Sequence, residues 1–567
     1  MAERLKEYLA VARGERVAEL VLKEVRVVNV YTGEIFNTDL AIHHGRIIGW
    51  GTYSGQKELN LKGRYLVPGL IDAHLHLESA MVLPDEFCRQ VVPRGITTIA
   101  VDPHELANVA GIKGIEFIRQ YFGHLPINLL VQLPSCVPAT FADQAGAVLN
   151  AEDLKLLLDL PGIHGLGEMM NFYGVIQGDP EVLAKIEMIE GRFVDGHAPL
   201  LKGNDLNAYV LAGIKADHEC TDIEEAREKI RRGMYIMVRE GSAAKDLLNL
   251  LPLINEDNGR RFVFCTDDRH PFDLTREGHL DFLIRKAIKS GMDPIQAIRM
   301  ATLNAAECLG LSDLGAIAPG KRADLVVVDD LEDFKVYQVY KDGQLVAEEG
   351  ELIQDISYQP EIDLRNTVKT KELSFESFRL SSGRQYRVIQ VLPGQLLTKE
   401  VIQFVQIEGK KILEPDVAKI VVVERHHRTG QVGVGLVKGF GLKEGAIGSS
   451  VAHDSHNLIA VGRNDESIMA VLNGIIENQG GLAIAKEGQL IEILPLPIGG
   501  LISDKKLTWV EEKLDKMHHL AHLQGVSLTD PFMTLSFLAL PVIPELKMTS
   551  RGLFDVRQNK LVPLVVE

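Results

Sequence analysis

Eight short apolar runs between residues 67 and 268 constrain the fold of this chain more than any other feature. The runs are Val67–His76, Thr97–His104, Ile127–Ser135, Ile163–Glu168, Phe193–His197, Ile214–Glu219, Tyr235–Glu240 and Arg261–Asp268. Between them lie segments with helical spacing and charge, such as Glu116–Phe122, Ala151–Leu160, Ile223–Arg232 and Ala243–Asn249. Strands that alternate with helices form parallel βαβ units. Eight such units over about 250 residues predict a closed (β/α)₈ TIM-type barrel, in which the chemistry lies at the carboxyl ends of the strands.

Histidines and acidic residues, the types that bind metal ions, stand at those strand ends. The first run closes with His74 and His76, which point to the same face because strand side chains alternate. A pair of surface histidines is the simpler alternative, but the run before them is too apolar for a surface strand. The other strand ends carry Glu168, His197, His218 and Asp267.

Four imidazoles and two carboxylates at one barrel mouth are enough ligands for two divalent metal ions. Glu168 is placed to bridge the two ions, and a centre of this kind lowers the pKa of a bridging water. Asp267 is predicted to act both as a ligand and as a base that carries the proton of that water. Each histidine taken alone is more often a hydrogen-bonded core residue than a ligand. Asp268 is an alternative to Asp267, because the end of the last strand is uncertain by a residue or two.

Three further acid–base groups stand at the same edge of the predicted barrel. His104 ends the second run and Glu105 follows it, and these residues either support the metal ligands or hold and protonate a substrate. Glu219 follows His218 directly and is a candidate for proton transfer, although a carboxylate at a helix N-terminus is an equally simple interpretation.

Shorter strands and turns on both sides of the barrel predict two more units. Residues 1–66 and 311–364 are predicted to join in one small β-sandwich, residues 67–310 form the barrel, and residues 365–567 form an additional C-terminal α+β domain. The last unit contains His453, Asp454 and His456 in one short segment. A second metal site is one interpretation of this segment. A loop that covers the barrel mouth or orders a domain interface is favoured, because the segment lacks convergent strands.

Charge and cysteine content exclude some function classes. A net charge of −17 argues against nucleic acid or an anionic membrane as the main partner. The five cysteines are scattered and form no CxxC pair, which fits a reducing compartment. The charged start of the chain lacks the apolar core of a signal peptide, and no apolar stretch is long enough to span a bilayer. We therefore expect a soluble cytoplasmic protein.

The segment Pro68–His76, with its later single histidines and the aspartate of the eighth strand, resembles the amidohydrolase superfamily. Pro319–Leu325 resembles the return of the chain into the small β-sandwich of that superfamily. Within the superfamily, the chain is most similar to the bacterial adenine deaminase family along nearly its whole length, including residues 365–567. The segments that carry this likeness are His74–Ser79, Asp102–Asn108, Gly167–Asn171, Asp217–Glu219, Arg239–Ser242, Cys265–Pro271, Glu424–His427 and Ala452–Asn457.

The resemblance implies hydrolysis of adenine to hypoxanthine and ammonia, in purine salvage or catabolism, by attack of a metal-bound hydroxide on C6. It implies a binuclear centre of Mn²⁺, or of Fe²⁺, and Glu168 stands where many superfamily members have a carboxylated lysine. His104, Glu105 or Glu219 would protonate N1. A homo-oligomer is expected. The alternatives are a hydrolase or deaminase for another cyclic amide or amidine, and a non-catalytic protein on the same fold.

Overall fold

The computed structural model describes residues 2–409 and 411–566. Met1, Lys410 and Glu567, which the predicted domain ranges include, lie outside the described residues. The chain begins with one helix and five strands: α1 Ala2–Ala12, β1 Ala18–Asn29, β2 Glu34–His43, β3 Arg46–Trp50, β4 Gly55–Asn60 and β5 Tyr65–Pro68. The apolar residues of β1 are buried, and the strand lies between its neighbours β2, β4 and β5.

The barrel strands follow in chain order. They are β6 Leu70–His76, β7 Ile96–Val101, β8 Asn128–Leu133, β9 Ile163–Met169, β10 Phe193–Gly196, β11 Ala216–Asp217, β12 Tyr235–Arg239, β13 Phe262–Cys265 and β14 Asp267–Asp268. Parallel pairing gives one sheet in the order β10-β9-β8-β7-β6-β14 and a second in the order β11-β12-β13. The eighth predicted strand is thus two short strands, β13 and β14, separated at Thr266.

The two sheets meet at both ends and curl into a TIM-type barrel. β13 pairs with β12 and β14 pairs with β6, so the broken eighth strand joins the last strands to the first. On the other side, the backbone nitrogen of Lys215 donates to the carbonyl oxygen of Val194 over 3.1 Å, which links β10 to the segment before β11. Buried apolar side chains, among them Ile71, Ala100 and Val263, fill the barrel below the polar strand ends.

Helices connect these strands and cover the outside of the barrel. Their bounds are α2 Pro84–Val91, α3 His104–Ala110, α4 Ile112–Phe122, α5 Ala151–Lys155, α6 Phe172–Gln177, α7 Pro180–Met188, α8 Gly203–Leu211, α9 Ile223–Arg231, α10 Leu247–Leu250, α11 Pro271–Arg276, α12 Leu280–Lys289, α13 Pro294–Met300 and α14 Leu303–Leu309. Local sequence explains several of the starts. The side chain of Asp222, for example, accepts hydrogen bonds from the backbone nitrogens of Glu224 and Glu225 at the start of α9.

Several predicted element bounds were wrong, and local stereochemistry explains two of them. The first barrel strand begins at Leu70 rather than Val67, because Val67 and Pro68 belong to β5 in another sheet. Gly69 separates the two strands at a point where any Cβ would lie 2.1 Å from Oγ1 of Thr97. The second strand ends at Val101 and α3 begins at His104, because Pro103 has no N–H to continue the ladder. The helix predicted over Ala243–Asn249 is the single turn α10.

After the barrel the chain returns to the first sheet through β15 Leu325–Val328, β16 Val336–Lys341, β17 Gln344–Glu348 and β18 Glu351–Leu352. β15 pairs antiparallel with β5, which gives one nine-stranded sheet in the order β18-β17-β16-β15-β5-β1-β2-β3, with β4 beside β1. Apolar side chains from both chain segments pack together, as Val25 and Leu40 do with Val327.

The C-terminal unit is built on an eight-stranded sheet in the order β20-β19-β24-β23-β26-β25-β27-β28. Its elements are β19 Gln385–Val391, β20 Thr398–Phe404, β21 Ile407–Glu408, β22 Lys411–Ile412, β23 Val417–Val423, β24 Val432–Lys438, β25 Ala446–Ser449, β26 Leu458–Gly462, α15 Asp465–Glu477, β27 Gly481–Lys486, β28 Gln489–Pro495, α16 Leu507–Leu523, α17 Pro531–Phe537, β29 Leu546–Thr549, β30 Gly552–Asp555 and β31 Lys560–Leu561. It packs on the barrel: Nε2 of His427 lies 2.9 Å from the carbonyl oxygen of Ala145.

Among the described residues, no helix is both long and apolar enough to cross a lipid bilayer. The five cysteines lie in the described part of the chain, and all are buried and free.

Candidate active site

His74 and His76 lie on β6, where all seven residues are buried. Their outer ring nitrogens are held by acceptors: Nδ1 of His74 donates to Oδ2 of Asp195 over 2.9 Å, and Nδ1 of His76 donates to the carbonyl oxygen of Asp102 over 3.0 Å. The two Nε2 atoms lie 3.1 Å apart. Because a carboxylate and a carbonyl only accept, each neutral imidazole turns an Nε2 lone pair toward the other.

Carboxylate oxygens surround this pair of lone pairs. Oδ1 of Asp267 lies 3.2 Å from Nε2 of His76 and 3.6 Å from Nε2 of His74. Oε1 of Glu168 lies 3.2 Å from Nε2 of His76. The cluster at the carboxyl end of β6 therefore consists of acceptors that face one another in a buried space.

The two oxygens of Glu168 face different histidines. Oε1 faces His76, whereas Oε2 lies 2.7 Å from Nδ1 of His197 and 3.2 Å from Nε2 of His218. The structure thus brings all six predicted ligands together, with Glu168 at their centre.

This donor set fits divalent metal ions. Acceptor-only groups converging in a buried volume repel one another unless a proton or a cation lies between them. Imidazole nitrogens and carboxylate oxygens are the ligands of Mn, Fe and Zn, and hydrogen bonds from the opposite ring nitrogens, such as those of His74 and His76, orient such ligands. His74, His76, Glu168, His197, His218 and Asp267 are the residues that would hold the ions.

Proton affinities in the cluster reflect the same surplus of negative charge. Burial lowers the pKa of His74, but Asp195 and Asp267 outweigh it and raise that pKa to about 10. Burial raises the pKa of Glu168, but His197 and His218 outweigh it and hold that pKa well below its usual range. A positive charge among these carboxylates, carried by a proton or by a metal cation, is therefore strongly favoured.

Arg239, at the end of β12, is a site residue to which the sequence analysis assigned no role. Its Nη1 donates to Glu219, and to Oδ2 of Asp267 over 3.0 Å. Burial raises the pKa of Glu219, but Arg239 outweighs it and lowers that pKa, so Glu219 is an anion at neutral pH. Its position at a strand end, like that of the other polar site residues, is the sequence signal that could have identified Arg239.

Asp102 and Asp195 were also given no role from the sequence. Oδ2 of Asp102 accepts from the backbone nitrogen of Glu168 over 3.0 Å, so it places the central carboxylate. Gly167 is required beside it, because a Cβ there would lie 2.1 Å from the same Oδ2 atom. Asp195 orients His74, as described above. Both carboxylates lie near the ends of predicted strands, and this position in the sequence could have identified them as site residues.

The two aspartates of β14 face different partners. Asp267 faces His74 and His76, whereas Oδ1 of Asp268 accepts from Oγ of Ser79 over 2.5 Å. Asp267 has a φ of 55°, in the left-handed region, and this conformation lies at the break between β13 and β14. Of the two candidates, the structure places Asp267 among the predicted metal ligands.

His104 and Glu105, at the start of α3, lie at the same mouth and contact the C-terminal unit. Nδ1 of His104 lies 3.6 Å from Oε1 of Glu168, and its Nε2 lies 3.7 Å from Oδ1 of Asp454. Nδ1 of His453 lies 3.3 Å from Oε1 of Glu105. Burial, with further help from Glu78, raises the pKa of Glu105 well above its usual range.

The C-terminal unit closes the cavity at the barrel mouth. His453 and Asp454 line this cavity together with four apolar residues of the same unit, Leu396, Phe537, Leu540 and Ile543. The rings of His453 and Phe537 stack with centroids 4.5 Å apart. The sequence analysis had favoured a loop over the barrel mouth for the segment of His453, and the structure places it there. No sequence signal pointed to the four apolar residues.

Comparisons with known proteins match both parts of the chain. Residues 65–346 match the family model described as amidohydrolase family, and residues 395–560 match the one described as adenine deaminase C-terminal domain. The adenine deaminase of Petrotoga mobilis is 47% identical over 566 residues, 99% of each chain. That of Clostridium acetobutylicum is 48% identical over 567 residues, 98% of this chain and 100% of the relative. A crystal structure of a beta-aspartyl dipeptidase from Fervidobacterium islandicum AW-1 aligns with a TM-score of 0.44 and 16% identity over 60% of this chain and 99% of that one.

Proposed function

The chain belongs to the adenine deaminase family of the amidohydrolase superfamily, and we propose that it hydrolyses adenine to hypoxanthine and ammonia at the barrel mouth. The observation that carries this proposal is the convergence on Glu168 of acceptor groups that a divalent metal centre requires, in a chain so similar to adenine deaminases.

His74, His76, Glu168, His197, His218 and Asp267 would hold two divalent ions, which we propose to be Mn²⁺, with Fe²⁺ as the alternative. When bound, such ions supply Lewis acidity that lowers the pKa of a water molecule toward neutrality. We also propose a homo-oligomer in the cytoplasm.

Asp267 moves the proton that the attacking water loses. Its Oδ2 accepts from Arg239 while its Oδ1 faces the two histidines of β6, so the carboxylate is held in one orientation. Water oxygen adds to C6 of adenine and Asp267 takes one water proton. The C6–N6 bond then breaks, and Asp267 delivers that proton to the departing nitrogen, which leaves as ammonia.

Glu105 supplies the proton that N1 of the purine needs. The raised pKa favours the protonated form of this buried carboxyl, whereas Arg239 favours the ionised form of Glu219. Glu105 gives its proton to N1 and recovers one from the new C6 hydroxyl as the carbonyl of hypoxanthine forms. The two protons of water thus end on ammonia and on Glu105, which restores the enzyme.

Glu219 and the C-terminal wall hold the substrate. Glu219 lines the cavity as an anion and accepts from an N–H group of the purine. Phe537 and its neighbours give the flat ring an apolar surface, and they keep bulk water from the reacting carbon. His104, between Glu168 and Asp454, supports both the ligands and this wall.

An ammonia-release assay with a panel of nucleobases tests the proposal. The purified protein, loaded with Mn²⁺, is expected to release ammonia from adenine and to yield hypoxanthine by chromatography. Ammonia release from cytosine, or ring opening of a hydantoin seen by chromatography, without any reaction of adenine would show another cyclic amidohydrolase. No bound metal and no release from any compound would show a non-catalytic protein on this fold.

A further inference from the structure

A second cluster of metal-binding side chains lies away from the barrel, between α1 and the hairpin of β2 and β3. Glu7 belongs to α1, His43 is the last residue of β2, and His44 is the first residue of the turn that follows. His44 and Gly45 have φ values of 46° and 72°, the left-handed conformation of a tight two-residue hairpin turn. This turn presents both imidazoles to the helix.

The ligand atoms have the separations that a small tetrahedral cation requires. Nε2 of His43 lies 3.4 Å from Oε1 of Glu7, and Nε2 of His44 lies 3.4 Å from Oε2 of the same carboxylate. One atom from each of the three residues can be chosen so that all lie within 4.8 Å of one another. Two ligands on tetrahedral zinc with bonds of about 2.0–2.1 Å are about 3.4 Å apart.

Glu19 orients His44 toward this position. Its Oε1 lies 2.7 Å from Nδ1 of His44, and its Oε2 accepts from the backbone nitrogen of His44 over 2.6 Å. Since the carboxylate accepts, Nδ1 carries the proton and the Nε2 lone pair points toward Glu7. A carboxylate that accepts a hydrogen bond from the other ring nitrogen of a ligating histidine is the usual support of a zinc ligand.

His43 lacks a satisfactory partner within the described part of the chain. The residue is 4% exposed, and neither of its ring nitrogens makes a hydrogen bond of good geometry to any described group. Glu7, whose pKa is lowered by its contact with His43, is the acid that faces Nε2 of this ring. Buried polar groups are normally hydrogen-bonded. A cation between Glu7 and His43 would give a partner to Nε2 of His43 and to the Glu7 carboxylate.

Ions can reach the cluster from solvent. The side chain of His44 is 38% exposed and lines two surface clefts. Arg16 lies 3.3 Å from Oε1 of Glu7, but its side chain is 60% exposed and is free to turn into solvent when a cation takes its place.

We propose that Glu7, His43 and His44 bind one zinc ion that ties α1 to the nine-stranded sheet, with Glu19 holding His44 in place. Two imidazoles, one carboxylate and an open fourth position for water form a ligand set that zinc accepts. The site is separate from the barrel cluster and does not depend on the proposed function. Its position, between a terminal helix and a sheet edge, indicates a structural role.

Zinc content of the full-length protein tests the proposal. Wild type, E7Q and H44N are stripped with a chelator, loaded with excess Zn²⁺ and freed of unbound metal by gel filtration. Wild type is expected to retain one more zinc per chain than E7Q or H44N. Asparagine is chosen for position 44 because it tolerates the left-handed backbone. E3Q, at an exposed position of the same helix, is the matched control and is expected to retain the wild-type content.

Two further measurements make the result decisive. E7Q is expected to keep the wild-type rate of ammonia release, which shows that the protein is folded. Crystals of the loaded wild type are expected to show anomalous scattering at the zinc edge between Glu7, His43 and His44. Equal zinc content in wild type and E7Q, or anomalous scattering at the barrel alone, would overturn the proposal. Glu7 would then form only ion pairs with the two histidines.

Discussion

At the scale of single residues, the backbone at Asp267 is as informative as its side chain. A non-glycine residue with a φ of 55° is strained, and such residues cluster at functional sites. The strain falls where the eighth barrel strand breaks, and it directs the carboxylate of Asp267 toward His74 and His76. The next residue, Asp268, turns to Ser79 instead.

We expect D267N to lower kcat for adenine by roughly 10²–10⁴-fold, because an amide cannot carry the proton of the attacking water. Asparagine tolerates the left-handed backbone, so the fold is expected to survive. Steady-state kinetics and metal content are measured together. D268N is the comparison, and a larger loss of kcat in D268N than in D267N would reverse the roles assigned to the two aspartates.

Glu105 and Glu219 are expected to differ in their dependence on pH. The pKa of Glu105 is raised by burial, so its proton is retained to a higher pH than in an exposed glutamate and is lost as the pH rises through that pKa. The kcat of wild type should therefore fall on the basic side. E105Q should lower kcat by roughly 10²-fold or more and remove this basic limb, since glutamine has no proton to give. E219Q should keep the limb, and its loss in E219Q alone would contradict the assignment.

At the scale of secondary-structure elements, one buried lysine holds the pieces of the cavity wall together. Nζ of Lys547, on β29, donates to the carbonyl oxygen of Phe537 over 3.0 Å and to that of Leu396 over 2.9 Å. Both acceptor residues line the cavity. Burial lowers the pKa of Lys547 to about 7, so the amine is held by geometry rather than by a neighbouring acid.

We expect K547M to lower the free energy of unfolding by about 1–3 kcal/mol, because it leaves buried carbonyl groups unsatisfied. In the unfolded chain a lysine has a pKa of about 10.4, so between about pH 7 and 10 the unfolded state binds more protons and stability rises with pH. Denaturant unfolding across this range should show a smaller rise in K547M. K443M, at an exposed position of the same domain, should leave the rise unchanged. An unchanged slope in K547M would show that the amine is charged in the fold.

At the scale of the whole molecule, the cavity belongs to two units that are far apart in the chain. The barrel supplies the proposed metal ligands and acid–base groups, and the C-terminal unit supplies His453, Asp454 and the apolar wall. Contacts such as that between Glu105 and His453 join the two units at the site itself. Substrate binding should therefore depend on a unit that holds none of the proposed metal ligands.

We expect F537A to raise KM for adenine roughly tenfold or more, since aromatic stacking on a base contributes about 1–3 kcal/mol. Metal content should be unchanged, because Phe537 lies in the wall and is not a proposed ligand. F404A, a 61% exposed phenylalanine of the same unit, is the control and should keep the wild-type KM. An equal KM in F537A and wild type would remove Phe537 from the binding surface.

The barrel and the residue types at its mouth can be inferred from the amino-acid sequence alone. Apolar periodicity is a local property, so the order of strands and helices could be inferred, and the polar residues at strand ends followed from it. Bounds shifted where local stereochemistry intervened, as at Gly69 and Pro103. The family resemblance, carried by the same strand-end motifs, narrowed the chemistry further and agrees with the full-length relatives.

Which of these groups contact one another can be seen only in the folded chain. Side chains from separate segments come together at three places in the site. They bring Asp267 rather than Asp268 to the histidines of β6, pair Arg239 with Glu219, and form the apolar wall that includes Phe537. The same is true of Glu7 and His43, which are adjacent only because α1 lies against the hairpin. Periodicity records which face of an element is buried, but it carries no information about the direction of one side chain or the partner that packing brings to it. Distances between such groups exist only once the chain has folded.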